Sequence, residues 1–341
     1  MNSSGRAALL TLALLLAACA QDATEPAASD PSVTGIEQAL ASMSRDNIWA
    51  TVEYLADDER EGRMTGTRGY DDSASFVAER FAEIGLEPGG TDGWMQPIPF
   101  ISRLLDSERS SVVIHQSDGD VTLAYADDML VYADPLRPET GVRAEVVFAG
   151  FGVHAPELGY SDYEGLDVAG KIVAIFRGAP ATFASTERAH YSSGRTKTEE
   201  LVRRGAIGQI GLMSRLSEER SPWEDYTRNL GTQPDLSWID RNDEVADFHP
   251  EVLGTAMFNV PSAEKMFANA PLGFEAARDA AADARVASVP LGVEVSISRT
   301  TTHERITSAN VVAVLRGSDP VLADEYIVYS THLDHLGVGE P

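Results

Sequence analysis

The stretch that decides the reading is Asn310-Val-Val-Ala-Val-Leu-Arg-Gly-Ser-Asp-Pro320, followed by Tyr326-Ile-Val-Tyr-Ser-Thr-His-Leu-Asp-His-Leu-Gly337. Asn310 to Leu315 is a short apolar run rich in valine, which reads as a buried strand. Gly317 to Pro320 is a turn. Tyr326 to Tyr329 reads as a second short strand that runs into Ser330–Gly337. It delivers His332 and Asp334, which lie two apart and share a face while strand geometry lasts. In open α/β sheets, ligands bind beyond the carboxyl ends of the strands. A histidine there can offer a ring nitrogen to a metal, and the aspartate can hold the other ring N–H and so set the tautomer. His335 points the other way and reads as a supporting residue. His-x-Asp taken alone is a weak signal, common in surface loops.

Working outward, strands are expected at 112–114, 121–125, 129–132, 144–149, 171–176, 206–213 and 292–298. Helical spacing occurs at 36–56, 71–84, 198–204 and 262–269, which makes the chain α/β. Residues 57–69 read as a polar loop. The acidic stretch 217–250 reads as a long functional loop, anchored by Trp223, Tyr226 and Trp238. Gly150-x-Gly152-x-x-Ala155 follows a strand and matches a dinucleotide fingerprint on paper. Pro156 and Gly159 break the helix that such a site needs, so a turn is the better reading. No Gly-x-Ser-x-Gly elbow is present. His115, His154, His190, His249 and His303 are scattered without ligand spacing and read as surface or loop residues.

The 341 residues include 53 acidic and 27 basic side chains, for a net charge of −26. Such a chain has little to neutralise phosphates with, which argues against nucleic acid and against anionic membrane surfaces as partners. The single cysteine, Cys19, excludes an internal disulfide. It ends an apolar run, Ala7 to Ala18, that follows Arg6. That run is shorter than the ~20 residues needed to span a bilayer, but it fits the apolar part of a secretory signal. Leu16-Ala17-Ala18-Cys19 resembles the lipobox of bacterial lipoproteins. The resemblance implies cleavage after residue 18, a lipid on Cys19 and export to a bacterial membrane, with Ala20 hinting at the outer membrane and a periplasmic or surface-facing domain. Residues 19–35 have no apolar period and read as a disordered tether.

Residues 310–320 with 326–337 resemble the start of the catalytic domain of the co-catalytic di-zinc aminopeptidases, metallopeptidase family twenty-eight. Glu61-Gly-Arg-Met-Thr-Gly-Thr67 and Ala82-Glu-Ile-Gly-Leu-Glu-Pro88 are similar to the N-terminal part of these enzymes. Val147–Gly152, Asp162–Val173 and Gly205–Gly208 look like a protease-associated domain. The resemblance implies a three-layer αβα zinc-exopeptidase domain interrupted by a mostly β insertion. Residues 36–109 would begin the peptidase domain, 110–289 would form the insertion, and 290–341 would start the catalytic part.

His332 would then be the first zinc ligand and Asp334 the acid that orients it. Two zinc ions would polarise a peptide carbonyl and activate a water for hydrolysis at the N-terminus of peptides. The family's bridging aspartate, glutamate base, further acidic ligand and second histidine lie downstream of this motif and match no residue here. The chain is therefore expected to be the N-terminal portion of an exported zinc aminopeptidase, inactive alone. The alternative is a non-catalytic surface lipoprotein that uses the same fold for binding, as the transferrin-receptor relative does.

Overall fold

The computed structural model describes residues 31–228, 234–246, 248–283 and 286–339. Cys19 and the expected signal segment lie outside them. The chain divides into two units, Met1–Asp57 and Asp58–Pro341.

In the first unit the single helix expected over 36–56 is two, α1 (Pro31–Ser42) and α2 (Arg45–Ala56). The break has a local cause. Ser44 leaves helical geometry, with φ −100° and ψ 120°, and its side chain accepts the Asn47 N–H at 3.2 Å. That is how a serine N-cap starts a new helix.

The second unit opens with a 3₁₀ turn at Asp58–Arg63 and then α3 (Arg68–Glu83). The elements that follow are β1 (Glu87–Pro88), β2 (Met95–Gln116), β3 (Gly119–Leu123), β4 (Met129–Val131), β5 (Glu139–Phe148), β6 (His154–Ala155), β7 (Tyr160–Ser161) and β8 (Ile172–Phe176). Then come α4 (Ser185–Tyr191), α5 (Gly194–Arg203), β9 (Gly208–Leu212), α6 (Arg215–Arg220), α7 (Trp223–Thr227), β10 (Asp235–Trp238) and β11 (Gly254–Phe258). The last are α8 (Val260–Met266), α9 (Phe274–Asp283), β12 (Val289–Val311) and β13 (Ala313–Val314). The stretch 217–250, expected as a loop, thus carries α7, β10 and most of α6.

One mixed sheet of nine strands runs in the order β10-β2-β12-β5-β8-β9-β11-β4, with β3 on β2. The pairs β5–β8, β8–β9 and β9–β11 are parallel, and the others are antiparallel. The parallel part is covered on both faces. Val146, Phe148, Ile172, Ala174 and Phe176 pack with Met266 and Phe267 at the end of α8 and with Phe274 and Ala277 of α9. Val147, Ala149, Val173 and Ile175 alternate with them and pack with Leu201 of α5. A parallel strand needs helices on both sides, which explains the unbroken apolar run Ile172–Phe176. Residues 110–289, expected as mostly β, are therefore a helix-covered α/β layer.

The expected boundary at residue 110 falls inside β2. The ladder of β2 to β12 runs from Glu294↔His115 to Val311↔Met95 and shifts register between Ser298 and Thr300. There the Ser110 hydroxyl accepts the Thr300 N–H at 3.0 Å. At the far end, β13 pairs with β1. The second strand expected at Tyr326–Tyr329 does not form. These four side chains are 80, 85, 80 and 93 % exposed. A strand is held by ladder partners, and among the described residues none pairs with this segment.

The inward row of β12 runs Leu291, Val293, Val295, Ile297 and then, in the same phase, Arg299. A buried arginine needs a partner. Asp134, fully buried, accepts Arg299 Nη2 at 2.7 Å, Arg137 Nε at 2.9 Å, and the N–H groups of Leu136 and Arg137 at 2.9 and 2.7 Å. Arg299 also donates to the Tyr132 carbonyl at 3.0 Å and to Thr140 Oγ1 at 2.6 Å. Burial pushes the Asp134 carboxyl up, but these hydrogen bonds and the Arg299 charge outweigh it and hold it below the usual 3.8.

Asp134→Asn leaves Arg299 buried without its counter-charge and is expected to cost about 3–5 kcal/mol. Because the folded carboxyl titrates below 3.8, its contribution is complete above that value and fades as pH falls through the lower folded one. Urea unfolding of both proteins at neutral pH and in acid should show the difference shrinking in acid. An equal difference at both would contradict the assignment.

Candidate functional site

The expected site residues sit in a loop, not on a strand end, and the structure clasps that loop from a distant segment. Glu61, Gly62 and Arg63 are three consecutive left-handed residues, with φ of 48°, 61° and 49°. For the two non-glycine residues this conformation costs on the order of 1 kcal/mol or more each. Arg68 Nη2 donates to Glu61 at 2.9 Å, and the Arg60 carbonyl lies so close to Gly69 that only glycine fits there. The turn is thereby pinned to the start of α3.

The strained turn holds residues 333–337 by both backbone and side chains. The His335 N–H donates to the Arg63 carbonyl at 2.9 Å, and the Gly337 N–H to the Gly62 carbonyl at 3.0 Å. Arg63 Nε donates to the Leu333 carbonyl at 3.0 Å. Thr65 Oγ1 donates to Asp334 Oδ2 at 3.2 Å. Any side chain on Gly62 would run into the Gly337 carbonyl. Tyr70 of α3, bonded to the Ala309 carbonyl, has its hydroxyl pushed up by burial and then by the nearby Asp334 charge.

His332 is exposed, and its Nδ1 sits 2.8 Å from the Asp334 carbonyl oxygen. A carbonyl only accepts, so Nδ1 carries the proton in this pose and Nε2 of the neutral ring keeps its lone pair. The ring of His332 thus meets the backbone of Asp334 rather than its carboxylate. That carboxylate stands 3.6 Å from Nδ1 and is held by Thr65. His335 contributes through its backbone N–H.

One imidazole and one carboxylate do not complete four-coordinate zinc. Among the described residues, no three of histidine, cysteine, aspartate and glutamate converge. The residues present fit one corner of a zinc centre and not the two-ion site that the resemblance implies.

The other candidates are structural. His115 lies between Ser296 Oγ at 2.8 Å and Asp120 at 2.9 Å, His154 meets Ser161 Oγ at 3.1 Å, and His303 meets the Asp134 carbonyl at 2.8 Å. Trp223 Nε1 donates to the Ala126 carbonyl at 2.7 Å and packs with Tyr226 beside Leu130, Met213 and Met257, as anchors do. Trp238 is 48 % exposed on β10. The Gly150–Gly152 turn leads into β6 and not into a helix. Its N–H groups at Phe151 and Val153 each donate to Asp162 at 3.0 Å, so a carboxylate of the protein occupies the place a pyrophosphate would need. Nothing local in the sequence ties Gly62, Arg63 and Thr65 to the His332 loop, which they contact. The resemblance of Glu61–Thr67 to the N-terminal part of the zinc aminopeptidases is the signal that points to them.

No protein-family model matches the chain, and no curated protein matches it. Among solved structures, the aminopeptidase from Aneurinibacillus sp. strain AM-1 is similar with a TM-score of 0.40 and 14 % identity, over 81 % of this chain and 49 % of that one. A zinc aminopeptidase from Bacillus subtilis is similar with a TM-score of 0.30 and 14 % identity, over 80 % of this chain and 47 % of that one. The chain spans about half the length of each.

Gly62→Ala is expected to open the clasp while the sheet stays folded. Hydrogen exchange at the His335 and Gly337 amides should quicken at least tenfold, about 1.4 kcal/mol of local stability. Unchanged protection would show that the turn does not hold the loop.

Proposed function

We propose that this chain is the N-terminal portion of an exported zinc-dependent aminopeptidase, carried on a lipid at Cys19 and acting on peptides. The observation that carries the reading is the clasp. A strained turn, Glu61–Arg63, is spent on fixing one loop, and that loop presents His332 with Nδ1 committed and Nε2 open. Strain of this kind is retained where geometry matters for function. The family motifs at residues 61–67 and 331–337, about 270 residues apart in sequence, meet at this place, which is what a shared role in one site requires. In this reading His332 is a metal ligand, Asp334 its orienting residue, and Thr65 and Arg63 hold Asp334 and the loop. Among the described residues no further ligand or general base joins His332, and the reading assigns them to the rest of the full-length protein. The chain alone is inactive.

Two measurements test this. The purified chain with added zinc should not hydrolyse leucine p-nitroanilide above background, and turnover like that of a complete enzyme would overturn the inactive-fragment reading. In the full-length gene product, elemental analysis should find zinc, and His332→Ala should remove part of it. Thr65→Val, which frees the Asp334 carboxylate, should weaken zinc binding about 10–100-fold, the usual scale for a residue that supports a ligand. Unchanged zinc in His332→Ala would remove His332 from the site. A full-length protein that holds no zinc and does not hydrolyse would favour the binding-lipoprotein alternative.

A further inference from the structure

Far along the sequence from the clasp, a cavity of about 220 Å³ lies beyond the carboxyl ends of three neighbouring parallel strands. Phe151 follows β5, Arg177 follows β8, and Ser214 follows β9. This is where open parallel sheets hold ligands, because the strands stop there and the loops diverge. Four charged side chains line it, and all are arginines: Arg177, Arg215, Arg220 and Arg278. In a chain with a net charge of −26, a cavity wall without a carboxylate is a departure from composition.

Not all of this charge is already neutralised. Arg215 is paired with Glu275 at 2.7 Å and Asp279 at 2.6 Å. Arg278 is paired with Glu218 and with Glu275 at 2.8 Å. Yet Arg278 is only 4 % exposed, and its Nε has no hydrogen-bond partner. Arg177 stands over the Tyr226 ring at 4.8 Å and meets Met257 Sδ at 3.8 Å, with no carboxylate against it among the described residues. The rest of the wall includes Phe151, Leu216, Tyr226 and Ala281. An apolar cavity of about 150 Å³ holds benzene, so this one admits an aromatic ring with a short acid arm.

We propose that this cavity binds an organic carboxylate with an apolar body, the carboxylate meeting Arg177 and the body meeting Phe151 and Leu216. Guanidinium groups match a carboxylate by paired hydrogen bonds. Inorganic phosphate would set a more highly charged ion against the apolar half of the wall. Two sources share this chemistry, a free aromatic acid and the C-terminal carboxylate of a peptide that ends in an apolar residue. The proposal does not depend on the peptidase reading.

Calorimetric titration of the purified chain separates the cases. The probes are 3-phenylpropionate, N-acetyl-Ala-Ala-Phe as the free acid, 3-phenylpropanamide and inorganic phosphate. Saturable binding of one of the acids at about 1 mM or tighter is expected, and the tighter acid identifies the source. The neutral amide should bind at least tenfold more weakly. Arg177→Gln and, as a second variant on the same wall, Arg220→Gln should each weaken the acid at least fivefold, with an unchanged circular dichroism spectrum. The proposal is overturned if neither acid saturates, if the amide binds as well as the acid, if phosphate binds more tightly than both acids, or if a folded Arg177→Gln binds like the parent.

Discussion

Two backbone hydrogen bonds, from His335 to the Arg63 carbonyl and from Gly337 to the Gly62 carbonyl, join segments that lie about 270 residues apart. The placing of His332 depends on them. Without them residues 326–337 would be held only by the side chains of Arg63 and Thr65, because Tyr326–Tyr329 has no ladder partner among the described residues. With them, the loop has one register, Asp334 meets Thr65, and the imidazole of His332 has one favoured tautomer. The constraint is obtained at the cost of left-handed backbone at Glu61 and Arg63 and of a mandatory glycine between them.

The scaffold behind the clasp is a sheet of two characters. Its antiparallel part, built on the long β2–β12 ladder, ends near β1 and β13 and brings Ile306 against Gly66 of the clasp turn. Its parallel part is buried on both faces by helices and opens at its carboxyl ends into the arginine-lined cavity. Between the two, the alternation of β12 carries a charge inward at Arg299, where Asp134 and the chain around it meet that charge with a dense set of hydrogen bonds. A buried pair of this kind adds little net stability over an apolar one, but it allows only one register of β12 against its neighbours.

The sequence made the strong elements readable and the long-range ones not. Ile172–Phe176 and 144–148 are apolar enough to be strands in any context, and α3 carries a clear helical period. The helix break at Ser44 was missed because the apolar spacing runs through it, while a single cap bond decides it. Tyr326–Tyr329 has β-favouring residues, but a strand is a property of two segments, and the partner is not among the described residues. His332 and Asp334 stand out through the family resemblance of residues 326–337, because their spacing alone is a weak signal. The Asp334 carbonyl meets the His332 ring and its carboxylate meets Thr65, which no local pattern connects to residue 334. The arginines of the cavity come from four separate places in the chain and were invisible for the same reason.

The clasp presents His332 with its proton on Nδ1 and its Nε2 lone pair open. Long-range proton–nitrogen correlation spectra of the ring, recorded where the imidazole is neutral, read this directly. The account predicts a protonated-type nitrogen at Nδ1 and a lone-pair-type nitrogen at Nε2. The opposite tautomer, or rapid averaging between the two, would contradict it.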